Sequence, residues 1–211
     1  MKKSAPILSI LLAIGVFLLA CSLLPLPNTT ADTPPTSNPL PTTPPEPPAS
    51  TGLKNENLLA ELPDGFKVDY EAQQNNMTIS EMVPSNESVD DWSTLITVQI
   101  FMGMTGTTPE QYQENMNQSW FNACADSESY PVANGEENGY RFVLWQLYCP
   151  INPATQKVEY AYLKAIQGND SFYLVQVAFR HEPSNDEITQ WMQYMKQVSV
   201  CDSRIPEQAC P

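Results

Sequence analysis

Five cysteines and a single histidine are the residues of this 211-residue chain best equipped to do chemistry. A thiolate can attack a carbonyl or hold a metal, and thiols in an oxidising compartment pair as disulfides. His181, in the run "FRHEP", has no second histidine to share a metal with. No C-x-x-C pair occurs either, so the ligand spacing of common zinc modules is missing. A lone histidine between a strand and a helix is expected to be a solvated surface residue. Nucleophilic catalysis finds no better support. G-x-S-x-G is absent, and S-x-x-K is absent from residues 53–211. Neither a P-loop nor G-x-G-x-x-G is present.

Carboxylates are plentiful, and acid pairs can work as general acid and base. Asp90-Asp91, Glu136-Glu137 and Asp186-Glu187 are expected in turns or at helix starts, where acids face water or the helix dipole. Nothing singles out one pair as glycosidase-like. Calcium takes hard oxygen ligands, which "NGEENG" (Asn134 to Gly139) and "CADSES" (Cys124 to Ser129) supply. Neither matches D-x-[DN]-x-[DN]-G. The sequence therefore assigns no catalytic residue, no metal ligand and no cofactor, and the domain is expected not to be an enzyme.

Cys21 differs from the other cysteines in its surroundings. Lys2 and Lys3 precede an apolar run from Ile7 to Ala20, broken by Ser9 and Gly15. Its length, roughly 14 residues, suits a signal-peptide core. It falls short of the roughly 20 needed to cross a bilayer as a helix. Leu18-Leu19-Ala20-Cys21 at its end resembles the lipobox of bacterial lipoproteins. The resemblance implies cleavage before Cys21 and a diacylglycerol on its thiol. Ser22 is not the aspartate linked to inner-membrane retention, which implies an outer-membrane address with the domain facing the periplasm or the cell surface. The lipid chains would hold the protein on the bilayer at about 0.8 kcal/mol per buried methylene.

With Cys21 assigned to lipid, Cys124, Cys149, Cys201 and Cys210 form an even set. In an exported chain such a set reads as disulfides, with three possible connectivities. The sequence favours Cys201–Cys210, which closes the short loop "CDSRIPEQAC", and Cys124–Cys149.

The second pairing follows from the elements that carry those residues. Residues 1–20 read as the leader and 21–52 as the lipidated cysteine with a Pro/Thr/Ser-rich linker. "TPPTSNPLPTTPPEPPAS" buries too little to fold and favours extended polyproline II. Residues 53–211 fit one disulfide-stapled domain. Strands are expected over Gly65 to Glu71, Met77 to Val83 and Trp92 to Met102. Thr108, Pro109 and Gln111 then start a helix with a capping box. Tyr112, Met116, Trp120 and Cys124 recur along it every four residues, with Phe121 widening the stripe. A hairpin with two Asn-Gly pairs leads to a strand from Tyr140 to Cys149. That strand puts Val143, Trp145, Leu147 and Cys149 on one face, toward the helix that ends at Cys124. A second hairpin, "VEYAYLKAI" to "SFYLVQVAFR", turns at Gly168-Asn169-Asp170. Ser184 and Glu187 cap a last helix with Ile188, Trp191, Met192 and Met195 as its apolar stripe. "QVSVC" is expected to close the sheet.

This order, β-β-β-α-β-β-β-β-α-β, specifies an α+β domain: a largely antiparallel sheet flanked by two helices. It resembles the PsbP/Mog1-like α/β/α sandwich. Members of that fold mostly bind partner proteins, so the resemblance implies a binding or structural domain rather than a catalyst. Asp and Glu number 24 against 10 Lys and Arg, a net charge of −14. Such a chain repels nucleic acid and anionic lipid surfaces. The expected partners are the lipid bilayer through Cys21 and another envelope protein. The competing readings are an envelope enzyme using surface carboxylates and a metal- or small-ligand-binding lipoprotein centred on His181 or an acidic turn.

Overall fold

The computed structural model describes residues 52–211. The leader, Cys21 and nearly all of the proline-rich tract lie outside the described residues. Nine strands and two α-helices follow one another. They are β1 (Glu56–Leu59), β2 (Phe66–Gln74), β3 (Met77–Pro84), β4 (Thr94–Met102), α1 (Pro109–Ala123), β5 (Glu128–Glu137), β6 (Tyr140–Cys149), β7 (Glu159–Gln167), β8 (Ser171–Phe179), α2 (Asn185–Gln197) and β9 (Ser199–Asp202). Seven strands form one antiparallel sheet in the order β2-β3-β4-β8-β7-β6-β5.

The alternation of β8 divides the interior in two. Phe172, Leu174 and Ala178 join the cluster covered by Tyr112, Met116 and Trp120 of α1. Tyr173, Val175, Val177 and Phe179 join the other cluster, with Ile188, Trp191, Met192 and Met195 of α2. Each helix is started by its own side chains. Thr108 and Gln111 exchange bonds at 3.0 and 3.2 Å. Ser184 and Glu187 do the same at 2.9 and 3.3 Å. Phe121 departs from the expected stripe. It is 41% exposed, because a position one residue past Trp120 turns away from the sheet.

Disulfides join Cys124 to Cys149 and Cys201 to Cys210. The first ties the end of α1 to the end of β6. In the loop-entropy account the two contribute roughly 3.5 and 2.5 kcal/mol.

Two expectations need correction. β9 does not close the large sheet. It pairs instead with β1, a strand the sequence reading omits, as a separate antiparallel ribbon. The ribbon packs on the α2 side through Leu58 and Val200. The hairpin turn is also narrower than its two Asn-Gly pairs suggest. Only Asn138-Gly139 turns the chain, with φ of 49° and 80°, as a two-residue hairpin requires. Asn134-Gly135 stays in β5, paired with β6.

Candidate functional site

The residues just after β8 reach a hollow of about 310 Å³ lined by Glu87, Asp91, Trp92, Ser93, Lys157, Arg180 and His181. Three loops meet there: those before β4, before β7 and after β8. Arg180 is fixed at its base, its backbone N–H donating to Ser93 O at 3.0 Å. Its guanidinium carbon lies 3.9 Å from the centre of the Trp92 ring, and Trp92 is buried in the α1-side core. Such stacking stabilises a guanidinium by about 0.5–1 kcal/mol or more. The Arg180 Nε is buried and has no hydrogen-bond partner among the described residues.

The other polar groups of the hollow hold one another. Glu87 accepts from the backbone N–H of Ser93 at 2.6 Å and from its hydroxyl at 2.8 Å. Lys157 pairs with Asp91 at 3.3 Å, both largely exposed, a geometry worth little in water. His181 Nε2 lies 3.0 Å from Glu187 Oε1, and its ring meets Phe179 edge-on. The Glu187 carboxyl is held below its ordinary range, first by the Ser184 backbone N–H, then by the Ser184 hydroxyl and His181. That stabilisation is complete above the ordinary carboxylate value and is lost as pH falls through the depressed one. His181 thus braces the start of α2. The arrangement suits attraction more than proton transfer, since the imidazole is bound to a helix cap and the Ser93 hydroxyl to Glu87.

A second polar cluster sits at the turn between β7 and β8. Glu56 of β1 accepts from the backbone N–H groups of Asn169 (2.6 Å), Asp170 (3.1 Å) and Ser171 (3.2 Å), and from the Tyr173 hydroxyl (2.9 Å). Arg204 ties Asp170 to the buried Asp202 at 2.7 and 2.6 Å. A third cluster centres on Lys164, whose side chain is 1% exposed. Its ammonium donates to Glu137 at 2.5 Å and to the carbonyls of Met195 and Val198 at the end of α2, at 2.9 and 2.7 Å. Burial lowers its pKa, and Glu137 opposes that shift.

The acid-rich segments are dispersed by the fold. Glu136 and Glu137 lie on β5, Asp186 and Glu187 begin α2, and Asp91 faces Lys157. In "CADSES", the Ser127 hydroxyl returns to Cys124 O and Ser129 bonds Asn117. Among the described residues no three His, Cys, Asp or Glu side chains gather so as to hold a metal.

The tyrosines of the second cluster carry a pH prediction. Burial, then the charges of Glu56 and Asp202, push the Tyr140 phenol up to about 12. Burial and the bond to Glu56 raise Tyr173 as well. Burial also lifts Tyr112 and Tyr194 to about 12. A raised folded value means this stability is whole below the ordinary value near 10 and drains away as pH rises toward the raised one. Lys164 acts oppositely, because its buried charge is relieved as pH climbs toward its ordinary value. The expected net result is a loss of stability above about pH 10, led by Tyr140 and Tyr173, which are each 2% exposed. The urea midpoint should fall as tyrosinate absorbance rises. A flat midpoint up to pH about 12 would contradict it.

No family model matches the chain, and no curated protein matches its sequence. Among solved structures it is similar to cyanobacterial PsbP (CyanoP) from Synechocystis sp. PCC 6803, with 9% identity and a TM-score of 0.44. That alignment covers 72% of this chain and 96% of the other. It is similar to a mutant of protein Mog1, with 12% identity and a TM-score of 0.39, over 66% of this chain and 84% of the other. The Saccharomyces cerevisiae Ran-binding protein Mog1p gives 11% identity and a TM-score of 0.38, over 67% and 85%. These are the two kinds of protein that the element order resembles. At such TM-scores the likeness carries no argument about function.

Proposed function

We propose that this chain is a lipid-anchored protein of the bacterial cell envelope whose domain binds another envelope component and catalyses nothing. Acylated Cys21 would hold it on the membrane, most simply the outer one, and the proline-rich tract would act as a semi-rigid tether. The domain is read as an α/β/α sandwich of the PsbP/Mog1 kind, because α1 and α2 pack on opposite sides of one sheet.

The observation that carries the binding reading is the hollow at the end of β8. Its imidazole, its Ser93 hydroxyl and the Glu87 carboxylate are engaged in holding loops in place, and Asp91 pairs with Lys157. One stacked guanidinium is left to attract a visitor. Growth with a labelled fatty acid should mark the wild type and leave Cys21→Ala unmarked. Crosslinking in the native envelope should recover a partner that the Cys21→Ala control does not. A labelled Cys21→Ala protein would refute the anchor, and an empty pull-down would refute the partner.

A further inference from the structure

We propose that Arg180, stacked on Trp92 in the hollow at the end of β8, is a binding site for a carboxylate group. Most cations of the described domain already have a carboxylate. Lys67 holds Asp69, Arg141 holds Glu110, Lys157 holds Asp91, Lys164 holds Glu137, and Arg204 holds Asp170 and Asp202. Arg180 is the one arginine with no acid partner among the described residues, in a chain where acids outnumber bases 24 to 10. It is no loose surface side chain. Its backbone is bonded to Ser93 and its guanidinium is laid on an indole that is itself in the core.

A guanidinium presents donors in a rigid fork that matches the two oxygens of a carboxylate, and stacking fixes the plane of that fork. The neighbours set the charge of what can enter. Lys157, paired with Asp91, favours an anion only weakly, and the Glu87 and Asp91 carboxylates that line the same hollow oppose one. A monoanion suits this balance better than a phosphate dianion. Glu87 stays bound to Ser93, so it does not swing over to take the place of the ligand.

The site deepens the reading of the domain as a binding module, and its test is separate from that of the anchor. The full-length chain in detergent would be titrated at constant ionic strength with acetate, with phosphate, and with a short peptide bearing either a free or an amidated C-terminus. The readout is the Nε–H resonance of Arg180 in nitrogen–proton spectra. Arg141 and Arg204 serve as internal controls because their guanidiniums are already paired. Acetate or the free-ended peptide should shift the Arg180 signal saturably and leave the controls in place. Arg180→Gln should weaken binding by roughly ten- to hundredfold, with Arg180→Lys in between. Tighter binding of the free-ended peptide than of acetate would identify a protein chain end as the source of the carboxylate. Equal binding of the two would identify a small acid. Phosphate binding as tightly as acetate, an amidated peptide binding as well as the free one, or a well-folded Arg180→Gln protein binding like wild type would each overturn the proposal.

Discussion

Lys164→Met should lower the free energy of unfolding by roughly 2–4 kcal/mol, because it leaves two buried carbonyls without a donor and Glu137 without its cation. The ammonium is 1% exposed and serves three acceptors at once: Glu137 and the carbonyls of Met195 and Val198. Methionine matches the length of lysine and keeps the apolar stem that passes the Phe142 ring, which the ammonium overlies at 4.8 Å. The loss would therefore report the charge and its bonds, with little change in packing. The two carbonyls belong to the end of α2, where the helix has no further N–H of its own to offer them. Glu137→Gln should cost much less, about 1 kcal/mol. Glu137 is 34% exposed, and the ammonium would keep both carbonyls. Urea unfolding followed by circular dichroism compares the three proteins. A Lys164→Met midpoint equal to wild type would show that the ammonium costs as much to bury as its bonds return.

Glu56→Gln comes next in size, at about 1.5–3 kcal/mol. A carboxylate that accepts from three consecutive backbone N–H groups and a phenol suits the β7–β8 turn in a way an amide does not. The amide presents one acceptor and brings donors where donors already stand. Gly168 gives an independent handle on the same contact. A Cβ there would meet Ser171 O at 2.7 Å and collide with the Glu56 carboxylate. A backbone oxygen cannot swing aside as a side chain can, so Gly168→Ala should release Glu56 and cost a similar amount. Because both changes break one contact, the double variant should lose clearly less than the sum of the two. Strict additivity would mean that Glu56 and the turn are not coupled. Hydrogen exchange at Asn169, Asp170 and Ser171 should quicken in both single variants.

These two loci also show what could be read from the chain beforehand. The helices announce themselves locally, through Thr108 with Gln111 and Ser184 with Glu187. The long strands do so by alternation and β-branched residues. β1 does neither. Four residues, Glu56–Leu59, are too few for a period, and the reason they form a strand lies at β9, more than a hundred residues away. Lys164 left a faint trace. On β7 it shares a face with Tyr162 and Ile166, which are both buried, so a lysine at that parity is anomalous for a strand covered on that side. The cradle of Glu56 and the stacking of Arg180 on Trp92 are long-range contacts, invisible to any rule that reads neighbours in sequence. His181 was legible as a residue between strand and helix, while its bond to a helix cap was not.

The β1–β9 ribbon also decides how the domain bears load. Any tension arriving along the chain from the Cys21 side enters the domain at β1. The strand's bonds to β9 span the pairs from Glu56–Asp202 to Leu59–Ser199 and run perpendicular to the strand. A pull along β1 would therefore load them in shear, all together, where a pull across it would open them one by one. Glu56, at the very start of the strand, passes part of the force to the turn between β7 and β8, the middle of the large sheet. The Cys201–Cys210 bridge ties the tail back to β9, the strand that takes the rest. Under the proposed anchor, a pull arriving at β1 would thus be shared between β9 and the centre of the large sheet.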